Sequence, residues 1–169
     1  MAVTGPADWY KIAPQCAGLA QSPIDLNRYE LKNNIWDVNL TIDFDNEGGL
    51  VAGTFSNNGH SPTLGIDKSL GSATLSGGPV GDTVYQLEQL HFHFGCSSFQ
   101  GSEHTVSGSS YPVEVHFVFY NTSYLDFMKA ADKPDGLTVV GAFFDLGAKP
   151  NGILGRLQSK FEMIIQEGI

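Results

Sequence analysis

The chain has 169 residues, 41% of them hydrophobic and 11% aromatic, which suffices for one core and is too apolar for a disordered segment. Nine basic against eighteen acidic residues give a formal net charge of −9, and no cluster of Lys and Arg is present to neutralise phosphates, so nucleic acid is excluded as a partner. No apolar run approaches the ~18 residues of a membrane span, and Met1 to Gly5 lacks the charged and apolar regions of a signal peptide. The acidity reads as a solubility feature rather than a means of attracting calcium, since there is no long acidic run.

In chain order, Val38, Leu40, Ile42 and Phe44 alternate with polar residues, a turn follows at 45–49, and 50–56 can form a hairpin partner. Residues 57–60 (NNGH) read as a loop. Apolar runs beginning at Tyr85, Tyr111 and Leu137 each end at Gly or polar clusters, as strands of a large sheet do. Residues 124–131 form a short helical segment. From Asn151 onward Ile153, Leu154, Leu157, Phe161, Ile164 and Ile165 recur at helical spacing, with Asn151 placed to cap the N-terminus and Gly168 the C-terminus. No repeat or linker interrupts the chain, so 1–169 reads as one α+β, mostly β domain: a large mixed, mainly antiparallel sheet with few peripheral helices.

Chemistry concentrates in two of these strands, 87–95 (LEQLHFHFG) and 111–121 (YPVEVHFVFYN). Side chains alternate faces along a strand, so His91 and His93 share a face while Leu90, Phe92 and Phe94 take the other. His116 need only lie on a paired strand, because cross-strand neighbours stand about 5 Å apart and can close a site with Zn–N bonds of about 2.0 Å. Gln89 lies on the face of His91, and Glu114 and Val118 on that of His116. Gln89 and Glu114 suit the task of accepting the second ring N–H of a ligating histidine, which fixes the tautomer and raises the ligand's basicity. The plain alternative is an exposed His-x-His on a polar strand face with Glu114 as a surface acid. The third histidine and both supporting residues together favour the metal.

The stretches QSPIDL (21–26), NNGHSP (57–62), GGPV, LEQLHFHFG, GSEHTVSGSSYPVEVHFVFYN and KPDGLTVVGAFFDLG resemble the α-class carbonic anhydrases, in the family's order and near its spacing, from about Gly5 to the end. The resemblance implies that His91, His93 and His116 ligate zinc, that Gln89 and Glu114 hydrogen-bond those ligands, and that His60 shuttles protons. It further implies that Glu103 belongs to the active-site hydrogen-bond network, that His104 is structural, and that Val118, Leu137 and Val139 line the carbon dioxide pocket. Phe94, Phe119 and Tyr120 stand where members commonly carry Trp, His and Trp, exchanges expected to repack. The family's later Leu-Thr-Thr-Pro-Pro-like segment has no counterpart before Ile169, so Glu103 is expected to lack its hydroxyl partner unless a second chain or a longer parent completes the fold.

The expected function is therefore zinc-dependent interconversion of carbon dioxide and bicarbonate, with a catalytically inactive binding or matrix-scaffold module as the alternative. A metal-dependent hydrolase on an unrelated sheet is weaker, because the nearby acid, Glu114, has the parity of a group behind the ligands. Two cysteines, Cys16 and Cys96, can close a loop, stay free or reach another chain. The PQCAGLAQSPIDL context of Cys16 resembles the secreted branch of the family, in which this cysteine forms a disulfide with one in the C-terminal part, so a secreted, extracellular origin is expected.

Overall fold

The computed structural model describes residues 5–31, 39–149 and 152–167. In chain order its strands are β1 (Asp25–Leu26), β2 (Thr41–Phe44), β3 (Gly53–Asn57), β4 (Pro62–Ile66), β5 (Ala73–Ser76), β6 (Tyr85–Phe94), β7 (Thr105–Val106), β8 (Val113–Asn121) and β9 (Leu137–Phe144). The helices are the single turn α1 (Phe127–Ala130) and the longer α2 (Gly152–Glu167), with a few 3-10 turns between strands. The mostly β, antiparallel architecture expected from the sequence is the one observed. Among the described residues parallel pairing is confined to β1 and β7, which stand apart from the seven-stranded sheet.

β6 organises this sheet. One edge pairs in its first half with β5 and in its second half with β4, while the other edge pairs along its length with β8, which pairs in turn with β9. The register slips between Leu87 and Gln89, so Glu88 is an extra residue. A bulge of this kind switches parity. Leu87, Leu90 and Phe92 consequently all face the core, at 8% exposure or less, and Gln89, His91 and His93 are delivered together to the opposite face.

The core on that first face has two parts. Ala73, Leu75, Tyr85, Leu87 and Phe119 form one, and Leu90, Phe92 and Val115 the other. α2 closes the second: Phe161 meets Phe55 and Phe92 edge to face with ring centroids 5.1 Å apart in both cases, and Leu157 packs beside it. The helical spacing thus predicted Leu157, Phe161 and the buried Ile164 correctly, whereas Ile165 is 70% exposed. Asn151, Gly168 and Val38 lie outside the described residues, as do the side chains of Ile153 and Leu154. The short helix expected at 124–131 is a 3-10 turn at Thr122–Tyr124 followed by α1, whose N-cap Asp126 accepts the N–H of Lys129.

The expected hairpin between the strand ending at Phe44 and residues 50–56 does not form. β2 pairs with β5, and β3 makes its hairpin with β4. The side chain of Asn46 closes the intervening loop on itself, accepting the Leu50 N–H at 3.1 Å and donating to the Leu50 carbonyl at 2.7 Å. Asp45 accepts the Ser72 N–H and hydroxyl at 2.8 and 2.9 Å, which steers β2 to the strand that begins after Ser72. The 57–60 loop is the turn of the β3–β4 hairpin: Asn58 Oδ1 accepts the N–H groups of His60 and Ser61, and Gly59 supplies a φ of 86°.

Candidate metal centre

Register brings the histidines together. His91 is directly opposite His116 in the β6–β8 ladder, and His93 is opposite Glu114. The ring centroids of His91, His93 and His116 lie 4.9, 5.1 and 4.6 Å apart, and one ligand nitrogen from each falls within 4.8 Å of the others. A strand pair achieves this without loop adjustment, because opposed residues share a face of the sheet.

For two of the three rings, the nitrogen on offer is settled by what holds the other. His91 Nδ1 donates to Gln89 Oε1 at 3.0 Å, leaving Nε2. His116 Nε2 donates to Glu114 Oε1 at 2.6 Å, leaving Nδ1. His93 Nε2 is buried with no hydrogen-bond partner. A buried orphan nitrogen is costly unless something else satisfies it, and a cation bound by all three rings does so. Burial first, and then the mutual repulsion of the rings, push the pKa of His91 below its usual value. For His93 burial again dominates and outweighs the opposing pull of the Glu103 carboxylate. Both effects favour the neutral imidazole that metal binding requires. The donor set therefore fits a metal ion.

Glu114 ties this centre to the N-terminal segment. It is 1% exposed, and besides His116 it accepts the His104 ring Nδ1–H at 2.7 Å and the His104 backbone N–H at 2.9 Å. Burial pushes its carboxyl pKa up, but the three donors outweigh that and hold it below the usual value. His104 Nε2 lies 3.3 Å from Ser22 Oγ. The loop carrying His104 is held because β1 lies alongside β7, with Thr105 and Ser107 donating N–H groups to Ile24 and Leu26. His104, Glu114 and His116 also stand close enough to hold an ion, but their facing atoms are already joined by hydrogen bonds.

The remaining expected site residues fall into two groups. Val118, Val139 and Leu137 share the face of His116: Val118 is paired with Val139, and Leu137 with Tyr120 two positions on. Val118 is buried, whereas Val139 is half exposed. His60 is exposed in the β3–β4 turn and lines the cleft formed by Phe92, Phe94, Phe161 and Ile164 rather than the one opening on Glu103 and His116. Among the described residues no hydrogen bond or ion pair joins it to the three histidines. Thr63, three residues on, is nevertheless opposite His91, so the turn springs from the strand beside the centre.

Two features escape a reading of residue types. Glu103 Oε2 sits 3.4 Å from His93 Nε2 and 3.9 Å from His116 Nδ1. Gly141 is opposite His116 in β9, where an added Cβ would lie 3.2 Å from Glu114 Oε1 and 3.7 Å from His116 Cδ2. A glycine inside the run TVVGAFF was the available signal for such a close approach. Of the alternatives left open for Cys16 and Cys96, the structure shows two free thiols and no disulfide among the described residues.

Comparison with known proteins agrees with this geometry. A family model for eukaryotic-type carbonic anhydrases matches residues 4–168. The chain is 38% identical over 144 residues to carbonic anhydrase 7 of Mus musculus, an alignment covering 85% of this chain and 53% of that protein. It thus spans about half the length of the curated relative it matches. No helix among the described residues is long and apolar enough to cross a membrane. With a family match over residues 4–168 and a histidine triad able to hold a metal ion on the paired strands β6 and β8, the chain belongs to the eukaryotic-type, or α, carbonic anhydrase family.

Proposed function

We propose that the chain binds zinc through His91, His93 and His116 and interconverts carbon dioxide and bicarbonate. The observation carrying this reading is the convergence of three imidazoles whose second nitrogens, at His91 and His116, are already engaged by Gln89 and Glu114. Three neutral ligands leave the charge of the dication undiminished, and zinc so held supplies Lewis acidity and lowers the pKa of a coordinated water to about 7, the value for carbonic anhydrase itself.

The protein's own contributions are positioning and shielding. Gln89 and Glu114 lock two ligand tautomers by accepting the second ring N–H of His91 and His116. Val118, Val139 and Leu137 offer an apolar wall beside His116, suited to a small, nearly apolar substrate. The turn histidine His60 is the proposed exit for the proton, since an imidazole takes up and releases protons near neutral pH. A second chain supplying further strands, and a secreted origin, belong to the same proposal. They rest on the family resemblance alone.

Timing carbon dioxide hydration by the zinc-loaded chain, with and without an aromatic sulfonamide, tests the reading. Sulfonamide-sensitive turnover that disappears in His93→Ala supports it. Stoichiometric zinc without turnover favours the binding-module alternative.

A further inference from the structure

We propose that Asn39 is an acceptor for an N-linked oligosaccharide, and that it alone of the chain's two Asn-x-Ser/Thr sequences carries one in the folded protein. The inference rests on the secreted origin proposed above, because a chain meets the donor, a lipid-diphosphate-linked oligosaccharide, on entering the secretory pathway. The sequence offers Asn39-Leu40-Thr41 and Asn121-Thr122-Ser123, neither with Pro at the middle position.

The fold separates the two. Asn121, at the end of β8, is 2% exposed. Its Oδ1 accepts the Ser123 N–H at 3.0 Å, and its Nδ2 donates to the Asp135 carbonyl and to Asp135 Oδ2, both at 3.3 Å. A glycan on that nitrogen would displace these bonds and need room that a buried side chain lacks, so a chain modified there could not keep this fold. Asn39, Leu40 and Thr41 are all exposed. Among the described residues no hydrogen bond engages the side-chain amide of Asn39, and its carbonyl accepts the Thr41 hydroxyl at 3.3 Å. Leu40 lies against Gly78, where an added Cβ would stand 3.0 Å from Leu40 Cβ, so the middle residue is seated on the protein while the acceptor stays in solvent.

In the transfer, Asn39 Nδ2 attacks C1 of the donor's first sugar. The new C1–N bond replaces the C1–O bond to the diphosphate, one amide proton is lost, and the lipid diphosphate leaves. Placement suits the modification. Asn39 precedes β2, which is separated from β6 by β5, so a glycan there leaves the histidine centre open. Among the described residues β5 is the only strand paired with β2, and Ile42 and Phe44 are exposed on it. A bulky, soluble glycan beside that open edge keeps it from pairing with other chains.

The test uses the whole chain translated behind a cleavable secretory leader in the presence of endoplasmic reticulum membranes, so that entry is assured. The protease-protected chain should carry one glycan, and enzymatic deglycosylation in heavy-oxygen water should leave the isotope label at Asn39. N39Q and T41A should each lose the glycan completely, and T41S should keep it. An unmodified Asn39 in the translocated wild-type chain, or a soluble fraction with folded circular dichroism that is glycosylated at Asn121, overturns the assignment. An unmodified Asn39 in native material, alongside a modified leader-bearing chain, leaves the acceptor in place and overturns the secreted origin instead.

Discussion

Replacing Glu114 with Gln is the perturbation whose cost can be worked most fully from the structure. The wild-type carboxylate is 1% exposed and receives three hydrogen bonds, from His116 Nε2, His104 Nδ1 and the His104 N–H, at 2.6, 2.7 and 2.9 Å. All three partners are donors. An amide in the same space offers one oxygen and one NH2, so whichever way it turns, at least one N–H faces another donor. A buried donor left unmatched costs about 1–3 kcal/mol, and the loss of a ligand-orienting partner lowers metal affinity by about 10–100-fold. E114Q should therefore unfold at lower urea than the wild type, corresponding to about 1–3 kcal/mol, and need correspondingly more zinc for half-saturation. Urea titration followed by tryptophan fluorescence gives the first quantity and chelator competition the second. A variant with wild-type stability and wild-type zinc affinity would refute the claim that Glu114 both braces the loop of His104 and tunes His116.

Other perturbations test separate links. Gly141→Ala brings a methyl to 3.2 Å from Glu114 Oε1, so zinc binding should weaken several-fold by competition assay while the far-ultraviolet circular dichroism is retained; equal affinity would show that β9 gives way there. Phe92→Ala empties a site 3% exposed between Phe55 and Phe161 and should cost about 3–5 kcal/mol in chemical denaturation; a loss under about 1 kcal/mol would mean that α2 does not pack there. Asp45 is held below its usual pKa of 3.8 by the Ser72 N–H and then the Ser72 hydroxyl. Because its folded pKa is the lower one, its stabilisation is present above the unfolded value and lost as pH falls through the folded value. Melting temperatures of Asp45→Asn should accordingly fall less steeply than those of the wild type in that acid range, and parallel curves would contradict the steering role given to Asp45.

The histidine pattern was legible because strand parity is a local property: two positions apart means one face, whatever the rest of the chain does. His91, His93, Gln89, His116 and Glu114 could all be placed on that basis. What parity cannot supply is register, and the β2–β3 hairpin failed for that reason, since Asn46 and Asp45 redirect the chain through side-chain hydrogen bonds that no alternation pattern displays. The bulge at Glu88 was equally invisible, yet it is what lets Leu87 and Leu90 share a face. Glu103 could be assigned to the hydrogen-bond network by resemblance, but its approach to two metal-facing nitrogens depends on how the 102–111 loop folds back on itself. His60 was legible as a loop residue, while the cleft it borders is created by α2 crossing beneath the sheet.

X-ray absorption at the zinc edge of the zinc-loaded chain tests the central claim most directly. The account predicts one zinc per chain with three imidazole nitrogens at about 2.0 Å, and loss of stoichiometric binding when His91, His93 or His116 becomes Ala. A chain that takes up no zinc, or whose zinc shows no imidazole scattering, would contradict it.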